Sequence, residues 1–256
     1  MALTLCHRAR KIVSMSTFFH DLYARRELLA ILVGRNLKIR YKNSALGFFW
    51  SLLSPLFLIV IYALFLGLIR IPIDLHVLVV GIIAWQFLAM CLGDSLHAVV
   101  GNANLVTKAA FPRAVLPISM VGANLVNFLL SGAVVFLYIA VIQRDFGPLY
   151  WIPLLILTQA ALCLGVAFLL SAANVFFRDT EHILSVSMLA WFFLSPIIYE
   201  FDKVREFDTW IQCVFFLNPM AGIVTGYRVC LLSGEAPPAG LMALSLVTAW
   251  AILTLG

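Results

Sequence analysis

The first 45 residues are basic and amphipathic, and the rest of the chain is a series of nearly charge-free stretches long enough to cross a lipid bilayer; that order constrains the fold more than any single motif. A bilayer core of about 30 Å takes about 20 apolar residues per helix. The stretch 48–69 carries no charge, 77–100 is interrupted only by Gln86, Asp94 and His97, and 115–142 holds Pro117, Asn124 and Asn127. A fourth runs over 149–177, a shorter fifth over 183–199, and a sixth over 241–256. Charged residues make up 11% of the chain against roughly 25% in soluble domains, and hydrophobic residues make up 63%. Mean hydropathy is +1.04. These values exclude a soluble domain and predict an all-α integral membrane protein of about six spans, divided into a cytoplasmic basic region with an interface helix (1–45) and a transmembrane domain (46–256).

The nearly charge-free segment 210–227 does not extend that count. Asn218 and Pro219 break it, because proline removes a backbone donor and disfavours helix in the residue before it. A re-entrant helical hairpin over about 205–232, shielded by protein, fits better than a seventh span.

Lysine and arginine are retained on the cytoplasmic side of a membrane. With six spans, twelve of the 17 basic residues fall with the N-terminus and the loops near 101–114 and 175–182. Arg70, Arg144, Lys203, Arg205 and Arg228 fall on the other side, together with the acids Glu200, Asp202, Glu206, Asp208 and Glu235. The N-terminus is therefore expected in the cytoplasm. The first 20 residues lack the continuous apolar core and cleavage site of a secretory signal, so the first span is expected to direct insertion. Cys6, Cys91, Cys163, Cys213 and Cys230 are scattered and form no CxxC pair, which reads as small packing residues and not as metal ligands or disulfides. Most of the excess positive charge is N-terminal, and anionic headgroups account for it better than nucleic acid does.

Phe18, Leu22, Leu29, Val33, Leu37 and Tyr41 recur at spacings of four or seven, one face of a helix, while Arg35, Lys38 and Lys42 recur on another. Such a helix lies in the membrane interface with its arginines at phosphate level. It serves either as a plain anchor and topology signal or as the frame of an access site for a lipid with a phosphate head, formed by Arg35, Lys38 and Arg40. Spacing alone does not choose between these.

A pump or kinase needs a glycine-rich phosphate cradle ending in lysine. Of the lysines, Lys11, Lys38, Lys42, Lys108 and Lys203, none follows a glycine. HExxH and GxSxG are missing too, as is any cluster of aspartates suited to holding metal for diphosphate chemistry. Uphill transport by this chain would draw its energy from a partner or an ion gradient. Asp94 and His97, three residues apart near the inner end of a span, serve either a structural role or a proton relay.

Four groups of residues carry a family resemblance over nearly the whole chain. The first runs from Arg35, Arg40 and Tyr41 into Leu46, Gly47, Trp50 and Pro55; the second is Phe111-Pro112-Arg113 with Pro117. The third is Phe177-Arg178-Asp179 followed by Leu194-Ser195-Pro196-Ile197-Ile198-Tyr199, and the fourth is Asn218-Pro219-Met220 with Tyr227-Arg228. In this order around six spans they resemble the permease subunits of ABC-type polysaccharide exporters, the family of O-antigen, capsule and wall teichoic acid export proteins. The resemblance implies a homodimer in the bacterial inner membrane with two copies of a separate nucleotide-binding ATPase, which would bind ATP and magnesium; this chain itself would hold no cofactor or metal. It implies coupling to the ATPase through Lys108, Arg113, Arg178 and Asp179, and an outer gate of Pro196, Tyr199, Asn218, Pro219 and Arg228.

Passage of a glycan suits flat rings, on which sugar C–H faces stack. Phe48, Phe49, Trp50, Trp191 and Phe192, with Trp85 and Phe193, are candidates by position, though each is equally placed to anchor in the membrane interface. The expected function is export of a polyprenyl-diphosphate-linked polysaccharide. Two alternatives remain open on the sequence: a membrane enzyme acting on polyprenyl phosphate, disfavoured by the scarcity of carboxylates in the loops, and an exporter of a small drug or lipid built on the same permease fold.

Overall fold

A computed structural model of the chain describes residues 24–42, 44, 46–70, 74–108, 112–142, 146–177, 179–199 and 208–256. Phe18, Leu22, Phe111, Arg178 and the acidic stretch from Glu200 to Glu206 lie outside the described residues, as do the side chains of Phe48 and Lys108. Every described element is helical: α1 (Arg26–Tyr41), α2 (Trp50–Ile69), α3 (Leu75–Leu96), α4 (Ala103–Lys108), α5 (Val115–Ile142), α6 (Trp151–Phe176), α7 (Thr180–Leu194), α8 (Thr209–Leu217), α9 (Pro219–Arg228) and α10 (Ala239–Leu255).

Three of these, α3, α5 and α6, are long and apolar enough to cross a membrane, and α2, α7 and α10 are shorter apolar helices. All six coincide with the six stretches picked out by their lack of charge. Their ends follow local chemistry. Asp74 caps α3 by accepting from the His76 N–H at 2.7 Å. Asn218 does the same for α9, accepting from the Met220 N–H at 3.0 Å, with Pro219 at the first helical position, where no backbone donor is needed.

Two helix ends fall earlier than the charge-free stretches suggested. The span expected over 77–100 closes at Leu96, because Asn174 and Asn102 donate to the Leu96 and Ala98 carbonyls at 2.9 and 2.8 Å and take up acceptors that a continuing helix would use. The span expected over 183–199 closes at Leu194. Pro196 drives Ser195 into an extended conformation (φ −100°, ψ 139°), so Pro196 and Tyr199 belong to a turn beyond the helix.

The core is built around α3, whose Val79, Leu88, Cys91 and Leu92 are fully buried against α5, α6 and α9. The helices approach closely at glycines, as membrane helices do where van der Waals contact and not water expulsion drives association. A Cβ on Gly165 of α6 would stand 2.6 Å from the Leu253 nitrogen of α10, and one on Gly222 of α9 would overlap Ser245 Oγ. The short helices α8 and α9 form a broken pair at Asn218, with α9 buried along most of its length. By contrast, α2 and α7 present apolar faces outward: Leu64 and Leu68 of α2 and Val186 and Leu189 of α7 are all exposed.

The apolar stripe of helix α1 is half-buried against the protein. Leu29, Val33, Leu37 and Tyr41 are half-buried, Leu29 packs with Leu32 against Ala98, Val115 and Leu116, and Val33 sits over Gly122 of α5. The exposed large apolar residues of α1 are Ile31 and Ile39. Periodicity identified this face, and part of it packs on the residues around Ala98, Val115 and Gly122.

Candidate functional site

Two polar hubs and one aromatic groove stand out from an otherwise apolar bundle. The first hub lies where α1 meets α3 and α5. Arg40 forms an ion pair with Asp94 of α3, whose carboxylate also accepts from Asn124 Nδ2 of α5 at 2.8 Å. Beside it, Tyr41 donates to Asn127 at 3.0 Å, Asn36 donates to Ser119 at 3.1 Å, and Arg35 donates to Asn102 at 2.7 Å. Three helices are therefore pinned by side chains that an apolar span carries only at a cost. Of the expected phosphate-binding trio, Arg35 and Arg40 are engaged with the protein on separate partners, while Lys38 is exposed. His97, three residues after Asp94, lies 3.7 Å from Glu181 of α7.

The second hub ties α7 to the broken helix pair. Asn218 makes four contacts: it accepts from the Trp191 indole N–H at 2.8 Å and from the Met220 N–H, and it donates to the Leu194 carbonyl at 2.9 Å and Ser195 Oγ at 3.0 Å. Arg228, buried to 7% exposure, donates to three backbone carbonyls: Val77 at 3.0 Å, Tyr199 at 2.9 Å and Ile197 at 2.5 Å. It thereby fastens the 195–199 turn to the start of α3. The turn is further closed by Tyr199 donating to the Phe193 carbonyl at 2.9 Å, with Pro196 and Pro219 buried. All five residues expected at the outer gate are thus in one neighbourhood. A π-helical turn, Val229–Ser233, comes after α9; its Cys230 carbonyl is freed to accept from the Gly147 N–H at 2.9 Å.

Between α3 and α7 opens a groove of about 610 Å³ lined by Trp85, Gly93, His97, Glu181, Met188 and Phe192 among others. Trp85 meets Trp191 and Phe192 edge-on, at ring separations of 6.3 and 5.4 Å. Phe49 and Trp50 are exposed on a different element, where Trp50 pairs with Phe57 at 6.4 Å; the aromatic residues proposed from sequence therefore divide into two groups. Arg113 and Asp179 are exposed at the starts of α5 and α7.

Sequence reasoning missed the partners that make the hubs. Asn124 and Asn127 were visible as polar interruptions of an apolar span, and that interruption was the signal. Asn102 gave no such sign, and Ser195 entered only as a member of the Leu194–Tyr199 group.

A chain whose described elements are all helices, six of them apolar and pinned internally by a few polar side chains, is a membrane-embedded protein. It belongs to the ABC-2 type transporter family, whose pattern it matches over residues 27–232. It is 33% identical over 245 residues to the O-antigen export system permease protein RfbA of Myxococcus xanthus, covering 93% of this chain and 94% of the relative. Two Klebsiella pneumoniae proteins of the same name are 32% and 31% identical over 213 residues, 81% of each chain. The resemblance carried by the four residue groups is thus borne out at the level of the family.

Proposed function

We propose that this chain is the transmembrane subunit of an ATP-driven exporter that moves lipid-linked, O-antigen-type polysaccharide across the bacterial inner membrane. The observation that carries this reading is its similarity, over nearly its whole length, to relatives named as O-antigen export permeases. In this reading the chain crosses the membrane six times from a cytoplasmic N-terminus and forms a homodimer. Two copies of a separate ATPase bind ATP and magnesium and push on the cytoplasmic segments that hold Lys108, Arg113, Arg178 and Asp179.

The broken pair α8 and α9 would be the re-entrant outer gate. Asn218 and Arg228 suit that task because they join the pair to α7 and α3 through hydrogen bonds that can open together, unlike an interlocked apolar contact. Trp85, Trp191 and Phe192 offer flat rings beside a groove, a surface on which a sugar chain can stack and slide.

The test is to purify the chain with the ATPase encoded beside it. A stable complex whose ATP hydrolysis responds to added polyprenyl-linked glycan supports the reading. Failure to form any complex with an ATPase refutes it and directs attention to a sugar-transfer assay on lipid phosphate.

A further inference from the structure

Arg40 and Asp94 are paired, yet neither is sealed from solvent: their side chains are 24% and 38% exposed. Arg40 keeps a second guanidinium nitrogen, Nη1, that is buried and without a hydrogen-bond partner, and Arg35 keeps its Nε in the same condition. Buried donors on a cation are costly when left unused, so a movement of the junction that brought an anion onto them would recover that cost. Asp94, for its part, holds a second bond from Asn124 and is 38% exposed, so it keeps one partner if Arg40 leaves it.

From these facts we infer that the α1–α3–α5 junction is an anion-exchange site, in which the phosphate head of a lipid displaces Asp94 from Arg40. Asp94 is the built-in competitor that holds the site closed until that head arrives. A phosphate or diphosphate group carries more charge than a carboxylate and presents more acceptor oxygens to the guanidinium fork. Arg35, on the same helix, donates to Asn102 in the turn that leads into α4, so any shift of α1 on exchange would reach that turn. This inference rests on the exporter reading for the identity of the lipid, and on the junction alone for the exchange.

The opposite signs expected of two substitutions provide the test. The full transporter is placed in phosphatidylcholine nanodiscs, and binding of undecaprenyl diphosphate and, separately, of inorganic pyrophosphate is read by native mass spectrometry. Asp94→Asn removes the competitor's charge and is expected to tighten binding severalfold, whereas Arg40→Gln is expected to weaken it about tenfold, the scale of one charge-assisted hydrogen bond. Asn124→Ala, which loosens Asp94 without removing it, provides a gentler variant with a smaller gain. A gain with the lipid alone assigns the headgroup at the membrane surface, and a gain with both probes assigns the phosphate irrespective of its source. If Asp94→Asn and Asn124→Ala bind equally to or more weakly than the unaltered protein, Asp94 is only structural and the exchange is overturned. If the unaltered protein binds neither probe, the exchange is likewise overturned, while the co-purification with the ATPase still decides the exporter reading.

Discussion

Replacing Arg228 by leucine removes a buried guanidinium that holds three backbone carbonyls belonging to two separate segments, α3 and the 195–199 turn. A hydrogen bond to a charged group contributes about 1.5–3 kcal/mol, but the leucine also relieves the desolvation of the buried charge, so the three contacts do not add in full. The expected net loss is about 3 kcal/mol. Lysine retains the charge but not the planar fork, so Arg228→Lys should recover only the bonds that one ammonium can reach. Gly81 supplies an independent check on the same contact, since a Cβ there would stand 2.8 Å from Arg228 Nη2 and 3.0 Å from the Ile197 carbonyl. Gly81→Ala should therefore destabilise the unaltered protein, and less so the Arg228→Leu background. Thermal unfolding of the purified protein in detergent, carried through the double-mutant cycle, measures that coupling. Arg228→Lys matching the unaltered protein, or strictly additive effects of Gly81→Ala and Arg228→Leu, would show that the guanidinium does not fasten the turn to α3.

Asn218→Ala takes away a helix cap worth about 1 kcal/mol together with the partner of the Trp191 indole, so both stability and the tryptophan emission wavelength should change; an unaltered spectrum would contradict the Trp191 contact. Gly165→Ala forces a Cβ to within 2.6 Å of backbone in α10 and should cost roughly 1–3 kcal/mol, whereas Gly93→Ala, inside α3 with nothing within 4 Å, should be neutral to stabilising by up to about 1 kcal/mol in the same unfolding measurement. Charge reversal at Arg113, exposed at the start of α5, should weaken co-elution with the ATPase partner while leaving the unfolding temperature in place.

The six apolar helices were legible because lipid imposes one demand on every residue of a span, and absence of charge over about 20 residues satisfies it whatever the neighbours are. The break at Asn218-Pro219 was legible for a similarly local reason, since a missing donor and a disfavoured helical conformation do not depend on tertiary context. The helix ends at Leu96 and Leu194 were less so. One depends on Asn174 from another helix, which no local pattern announces, while the other was available in Pro196 and was outweighed by the apolar run through it.

Solvent and backbone chemistry, both readable along the chain, thus account for a helical membrane protein, its spans, its broken segment, and a basic helix with two faces. The choice of partner for each polar side chain was settled in three dimensions. Arg40 faces Asp94, 54 residues away, and Arg228 reaches the Val77 carbonyl, 151 residues away. Hydrogen bonds act over about 3 Å of space and are indifferent to separation along the chain, so periodicity can place a side chain on a face but cannot say what covers it.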